Sequence, residues 1–113
     1  YDEAFVNFNN VKPIQKKYRD LSSHHLYVVE INFSKLDINR AKLMTELRKE
    51  GIITQVHYMP VTSHPYYESL GYVTNNFKNS LDYYEKCLSL PLYFTLTDND
   101  QNKVIKLLKS LLK

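Results

Sequence analysis

A two-layer α/β fold, with a small mixed or antiparallel sheet packed by helices, is what the sequence predicts, and three observations predict it. The run HHLYVVEINF, His24 to Phe33, is rich in aromatic and β-branched residues and reads as a strand. The next stretch, INRAKLMTELRKE, repeats apolar residues at helical spacing, and IITQVHY, Ile52 to Tyr58, returns to strand composition. The order β-α-β suits two strands of one sheet with the helix on a face. Finally, TDNDQNKVIKLLKSLLK carries the clearest helical pattern in the chain.

The chain opens on YDEAFVNF, where Tyr1 and Phe5 stand four apart, as on one turn of a helix, with no start signal before them. In NNVKPIQKKYRDLSS, Pro13 interrupts regular pairing and the polar mixture reads as an extended connection, although IQKKYRDL has the pattern of a short helix. The apolar centre of the first strand, Leu26 to Val29, predicts burial on both faces. Asp37 is positioned to cap the helix that follows. Ile38, Leu43, Met44 and Leu47 form its apolar stripe, and Gly51 is a suitable left-handed stop.

After the loop MPVTSHPYYESLGYVTN, the pattern in FKNSLDYYEKCLSL predicts a helix with Phe77, Leu81, Tyr84 and Leu88 on one side, ended by Pro91. LPLYFTL reads as a short edge strand. In the last helix Thr97 and Asp100 fit a capping box, acids lie at the start and lysines towards the end, and Val104, Ile105, Leu107, Leu108, Leu111 and Leu112 make the apolar face.

With 113 residues, a chain of 43% apolar and 24% charged composition has the make-up of one folded domain. A formal charge of +3, with lysines spread along the chain apart from Lys16-Lys17 and the last helix, gives no basic stripe for nucleic acid. The single cysteine, Cys87, has no internal partner for a disulfide, which favours a cytoplasmic location. No apolar run reaches the roughly 18 residues that span a bilayer, and no signal architecture is evident, so neither membrane insertion nor secretion is expected. Only two glycines occur, and neither a P-loop nor a dinucleotide fingerprint is present.

Chemistry concentrates between Gly51 and Tyr67, in GIITQVHYMPVTSHPYY. His57 and Tyr58 stand at the expected end of the second strand, where side chains commonly leave the core for a cleft; the imidazole could bind an anionic substrate or relay a proton. The plainer alternative is a pair of strand-end residues with satisfied hydrogen bonds. His64, Tyr66 and Tyr67 lie on a loop between Pro60 and Pro65, either lining a pocket or packing on the surface.

No metal site is expected: His24 and His25 are neighbours that face opposite sides of a strand, and His57 and His64 lack helical pairing or a cysteine pair. Cys87 reads as a packing residue. Lys103, Lys106, Lys109 and Lys113 read as a solvated helix face.

Taken together, SSHHLYVVEI, Arg40 ahead of LMTELRKEGI, GIITQVHYMPV, and YYEKCLSLPLYFTLT resemble the C-terminal small domain of the DegT/DnrJ/EryC1/StrS sugar aminotransferases, within fold-type I pyridoxal phosphate transferases. Gly-Ile-x-x-x-Val-His-Tyr-x-Pro, Gly51 to Pro60, is the most specific piece, and Leu88 to Pro91 supports it. The nearest likeness is to the branch that aminates a UDP-linked 4-keto-6-deoxy-N-acetylhexosamine towards pseudaminic acid. One departure stands out: many members have Pro-x-Ala-Glu where this chain has Lys78-Asn79-Ser80-Leu81, which puts that helix start in question.

The resemblance implies that residues 1–113 form one small domain of a larger enzyme, with 1–23 as helix tail and connection and 24–113 as the α/β core. It implies pyridoxal phosphate held as a Schiff base by a lysine of the N-terminal domain, glutamate as amino donor, and a homodimer formed mostly through that domain. On this reading no catalytic, cofactor-binding or metal-binding residue lies in these 113 residues, and the chain alone is inert. It would contribute His57, Tyr58 and His64 to substrate binding, His57 first, against the donor's carboxylate or the nucleotide-sugar phosphates. Two alternatives remain: a dehydratase or regulatory relative, told apart by the lysine or histidine of the N-terminal half, and a free-standing module using its tyrosines to bind nucleic acid or peptide.

Overall fold

The computed structural model describes residues 1–14 and 20–113. In chain order it contains α1 (Asp2–Phe5), β1 (Lys12–Pro13), β2 (Tyr27–Glu30), α2 (Arg40–Lys49), α3 (Pro65–Ser69), α4 (Lys78–Lys86), β3 (Cys87–Leu90) and α5 (Asp98–Leu111). Single 3₁₀ turns stand at Phe33–Lys35, Val61–Ser63 and Thr74–Asn76. The possible helix in IQKKYRDL and the pair Lys16-Lys17 fall on, or largely on, residues outside the described set.

The strands form an antiparallel sheet in the order β1-β2-β3. Pro13 does pair, opposite Val29, at the sheet edge, where its lack of an N–H is tolerated. β2 is shorter than the expected strand, and Leu26 is 39% exposed, so burial on both faces does not extend to it. His24 and His25 precede the strand and are exposed, instead of facing opposite sides of it.

Two expectations are corrected around β3. The helix predicted through Leu90 stops at Lys86, and CLSL is the strand, while the predicted edge strand LPLYFTL is irregular, with Tyr93 and Phe94 exposed. Arg40 supplies part of the physical reason: from the start of α2 its Nη1 donates to the Tyr84 carbonyl and, at 3.4 Å, to the Cys87 carbonyl, and its guanidinium lies 4.5 Å from the Tyr84 ring centroid. The guanidinium takes up carbonyls on both sides of the boundary, while Ile31 N–H takes the Lys86 carbonyl at 2.9 Å and Cys87 pairs with Glu30 of β2.

The predicted strand IITQVHY is also reduced, to one bridge in which Gln55 N–H donates to Ser89 at 3.2 Å and Ser89 N–H donates back at 2.8 Å. Because both β2 and the Gln55 segment run antiparallel to β3, they run parallel to each other with β3 between them. The β-α-β order therefore holds as a crossover over one intervening strand.

All four residues of β3 are buried. Leu88 pairs with Val29 and, with Leu90, joins Leu43 and Leu47 of α2 and Val104 and Leu108 of α5 in one apolar cluster. The pleat turns Cys87 and Ser89 to the opposite face. Phe5, Val11, Ile31, Ile52 and Leu112 also belong to the cluster, and the Tyr1 and Phe5 rings stack 6.2 Å apart, as their spacing predicts.

Helix ends follow local rules. Asn39, not Asp37, caps α2, its side chain accepting from Lys42 N–H at 2.9 Å. Thr97 caps α5, accepting from Asp100 N–H at 3.1 Å and donating to the Asp100 carboxylate at 2.6 Å. Gly51, with φ of 78°, follows α2 in a Schellman arrangement: Ile52 N–H reaches the Leu47 carbonyl at 2.9 Å and Gly51 N–H that of Arg48 at 3.0 Å. Gly71 repeats this after α3, a helix begun by Pro65 within the segment read as loop.

Candidate active-site wall

His57 lies just beyond the Gln55 bridge and makes three contacts, two of them to other elements. Its Nδ1 is 2.8 Å from the Ser89 Oγ of β3. Its carbonyl accepts from the Tyr83 hydroxyl of α4 at 2.9 Å. The ring meets that of Tyr58 edge to face, with centroids 4.6 Å apart, and the peptide between the two residues is cis.

One side of His57 opens on a cavity of about 680 Å³ whose lining includes His25, Ser89, Tyr93, Asp100 and Lys103, with apolar side chains such as Ile52, Leu90 and Leu96 between them. Such a mixture of apolar wall and few polar groups suits a small organic molecule bearing charge. Lys103 Nζ donates to the Glu50 carbonyl at 2.6 Å at the rim, so this lysine of the supposed solvated face is engaged. Lys109 also has company, 5.7 Å from the Phe8 ring centroid.

The three predicted site residues are not brought to one place. Tyr58 is 71% exposed and borders a different hollow, with Met59, Pro60, Val61 and Tyr83. His64 sits at the N-terminus of α3, exposed, lining neither hollow. His57 alone among them lines the larger cavity.

Ser89 and Tyr83 escaped the sequence reading, yet both hold His57. A signal for Ser89 exists: a hydroxyl within the apolar run CLSL needs a partner once buried. Cys87 is buried, as expected of a packing residue, and burial pushes its thiol pKa up, against the partial opposing pull of Arg40. Burial likewise raises the Tyr83 phenol, with Cys87 and Glu30 adding to it. Among the described residues no group of three or more His, Cys, Asp or Glu could hold a metal ion, and no helix is long and apolar enough to cross a membrane.

Comparison with known proteins places this geometry in context. A model of the DegT/DnrJ/EryC1/StrS aminotransferase family matches residues 1–109. The spore coat polysaccharide biosynthesis protein SpsC of Bacillus subtilis is 40% identical over 91 residues, which cover 79% of this chain and 23% of SpsC. The UDP-4-amino-4,6-dideoxy-N-acetyl-beta-L-altrosamine transaminase of Helicobacter pylori is 31% identical over 111 residues, 97% of this chain and 29% of that protein. Among solved structures, "Putative sugar aminotransferase Spr1654" of Streptococcus pneumoniae, solved in apo, PMP and PLP forms, superposes with a TM-score of 0.85 at 28% identity, covering 98% of this chain and 28% of its own. The chain thus spans less than a third of the length of each of these relatives.

Pyridoxal phosphate needs an amine for its aldehyde and a cluster of donors for its phosphate. The cavity beside His57 offers one lysine, Lys103, already bonded to Glu50. Both glycines sit at helix ends with no atom within 4 Å of where a Cβ would stand, which is no close cradle. That cavity's lining alone does not supply these groups.

Proposed function

The chain belongs to the DegT/DnrJ/EryC1/StrS aminotransferase family, and from that premise we propose that it is the C-terminal small domain of a pyridoxal-phosphate sugar aminotransferase, supplying one wall of the substrate site. Residues 1–23 then form the helix tail and connection, 24–113 the α/β core, and the cofactor and its lysine belong to the rest of a longer protein. The observation that carries this reading is His57, fixed by Ser89 and Tyr83 at the edge of a cavity of about 680 Å³.

In this reading the chain's own residues bind and orient. His57 presents its free ring nitrogen to an oxyanion of a substrate, a carboxylate of the amino donor or a phosphate of the sugar nucleotide, and the surrounding apolar wall excludes water and strengthens that contact. Tyr58 and His64, on the flanking surface, contact parts of the substrate outside the cavity. The bound cofactor supplies the electron sink for amino transfer. This reading assigns no step of that transfer to these 113 residues, and on it the chain alone is inert.

The acceptor we propose is a UDP-linked 4-keto-6-deoxy-N-acetylhexosamine and the donor glutamate, acting in a cytoplasmic homodimer. Support for the acceptor is the 31% identity to the Helicobacter pylori transaminase across 97% of the chain. The test is an absorbance scan of the intact protein with pyridoxal phosphate, with and without glutamate, this chain serving as control. A visible band that shifts with glutamate only in the intact protein is expected; a folded intact protein with no such band refutes the reading.

A further inference from the structure

We propose that Ser89 is the positioning residue for His57, holding the neutral imidazole as the Nε2–H tautomer so that it serves the site as an anion-binding donor and not as a proton-accepting base. This deepens the reading above and rests on it for the identity of the anion.

The argument starts from what the Ser89 hydroxyl can do. Ser89 is 5% exposed, its N–H and carbonyl are both spent on Gln55, and the His57 Nδ1 at 2.8 Å is its hydroxyl's hydrogen-bond partner. A serine hydroxyl can donate or accept. If Nδ1 carried the proton and donated, the serine proton of this 5% exposed residue would have no acceptor among the described residues, an unfavourable loss of a hydrogen bond. Donation from Ser89 to Nδ1 satisfies both atoms and leaves the imidazole proton on Nε2.

The rest of the residue is equally constrained. Tyr83 holds the His57 carbonyl at 2.9 Å and Tyr58 meets the ring at 4.6 Å between centroids. Nε2 has no hydrogen-bond partner among the described residues, while the ring lines the cavity. A fixed N–H at a cavity wall is matched by an oxygen lone pair bearing negative charge. Both a carboxylate and a phosphate oxygen fit, and they come from different substrates.

The experiment is ¹⁵N NMR of the imidazoles in the intact, cofactor-loaded protein labelled at histidine, at a pH where a neutral imidazole prevails. The wild type should show Nε2 protonated and Nδ1 as a hydrogen-bond acceptor; a protonated Nδ1 overturns the proposal without any mutation. Ser89→Ala should move the Nδ1 signal towards that of an unbonded nitrogen and raise one substrate's KM roughly three- to tenfold, more than it lowers kcat. Ser89→Thr, which keeps the hydroxyl on a strand-compatible side chain, should restore both.

Titration with glutamate and with UDP distinguishes the sources, since only the occupant of the site moves the Nε2–H resonance. Movement by neither refutes anion binding by His57. If Ser89→Ala alters the Nδ1 signal but the protein shows no aminotransferase activity, positioning stands and the functional reading falls. If activity is present and His57→Ala raises one substrate's KM, yet Ser89→Ala changes neither signal nor KM, the functional reading stands and the role of Ser89 falls.

Discussion

The Tyr83 hydroxyl donates to the carbonyl of His57 at 2.9 Å, across 26 positions of sequence, and so ties helix α4 to the segment that carries the candidate site residue. Removing this tie isolates its worth. Tyr83→Phe keeps the ring and loses one partly buried hydrogen bond, so the intact domain should lose about 1 kcal/mol, read as a lower urea midpoint at unchanged m-value. A midpoint equal to the wild type's would show that the bond contributes nothing.

Arg40 makes a stricter demand on chemistry. Its planar guanidinium bonds the Tyr84 and Cys87 carbonyls while lying over the Tyr84 ring, a combination an ammonium does not reproduce. Arg40→Lys should therefore cost roughly 1–3 kcal/mol although charge is kept. Equal stability of the lysine variant in denaturant titration would contradict this role.

Gly51 tests backbone alone. At φ of 78°, with nothing within 4 Å of a built Cβ, Gly51→Ala meets no clash and should cost about 1 kcal/mol purely from the left-handed conformation. A loss several times larger would mean that an unrecognised contact forms there.

Alkaline pH provides a fourth test. Burial, then the neighbouring Tyr93, pushes the Tyr1 phenol from an ordinary 10.0 up to about 12, and its hydroxyl donates to the Pro91 carbonyl at 3.0 Å. Between these two values the unfolded chain binds fewer protons than the folded one at this phenol, so the stability Tyr1 contributes is intact below pH 10.0 and is lost as pH rises through about 12. Tyr83 and Cys87 are raised too and act in the same direction. Tyr1→Phe should flatten the fall in urea midpoint across that window; an unchanged slope would contradict the assignment.

What the sequence made legible was what neighbours decide. Thr97 and Asp100 announce α5, Gly51 ends α2, and the spacing of Val104, Leu108 and Leu112 marks a buried stripe. The boundary at Cys87 was not legible, because Leu81, Tyr84 and Leu88 continue a helical spacing past the point where the helix stops. There the chain pairs with β2, Cys87 opposite Glu30, and Arg40 reaches the Tyr84 carbonyl from 44 residues away; no local pattern encodes either contact. The same holds for IITQVHY, whose strand composition is real but whose pairing is limited to the single bridge at Gln55 and Ser89.

The candidate site divides in the same way. His57 and Tyr58 were singled out because they stand at the expected end of a strand, where side chains commonly leave the core for a cleft. Their divergence into separate hollows depends on a local backbone geometry that residue types do not specify. Ser89 and Tyr83 belong to elements 32 and 26 residues from His57, and only the sheet and α4 bring them to it.

The most direct test of the central claim is steady-state kinetics of His57→Ala in the intact protein, varying in turn the two substrates proposed above, glutamate and a UDP-linked keto-sugar. The account predicts a KM raised roughly tenfold or more for one of the two, the one whose oxyanion His57 binds, in a protein that still carries its cofactor. Unchanged kinetic constants for both substrates would contradict the placing of His57 in the site.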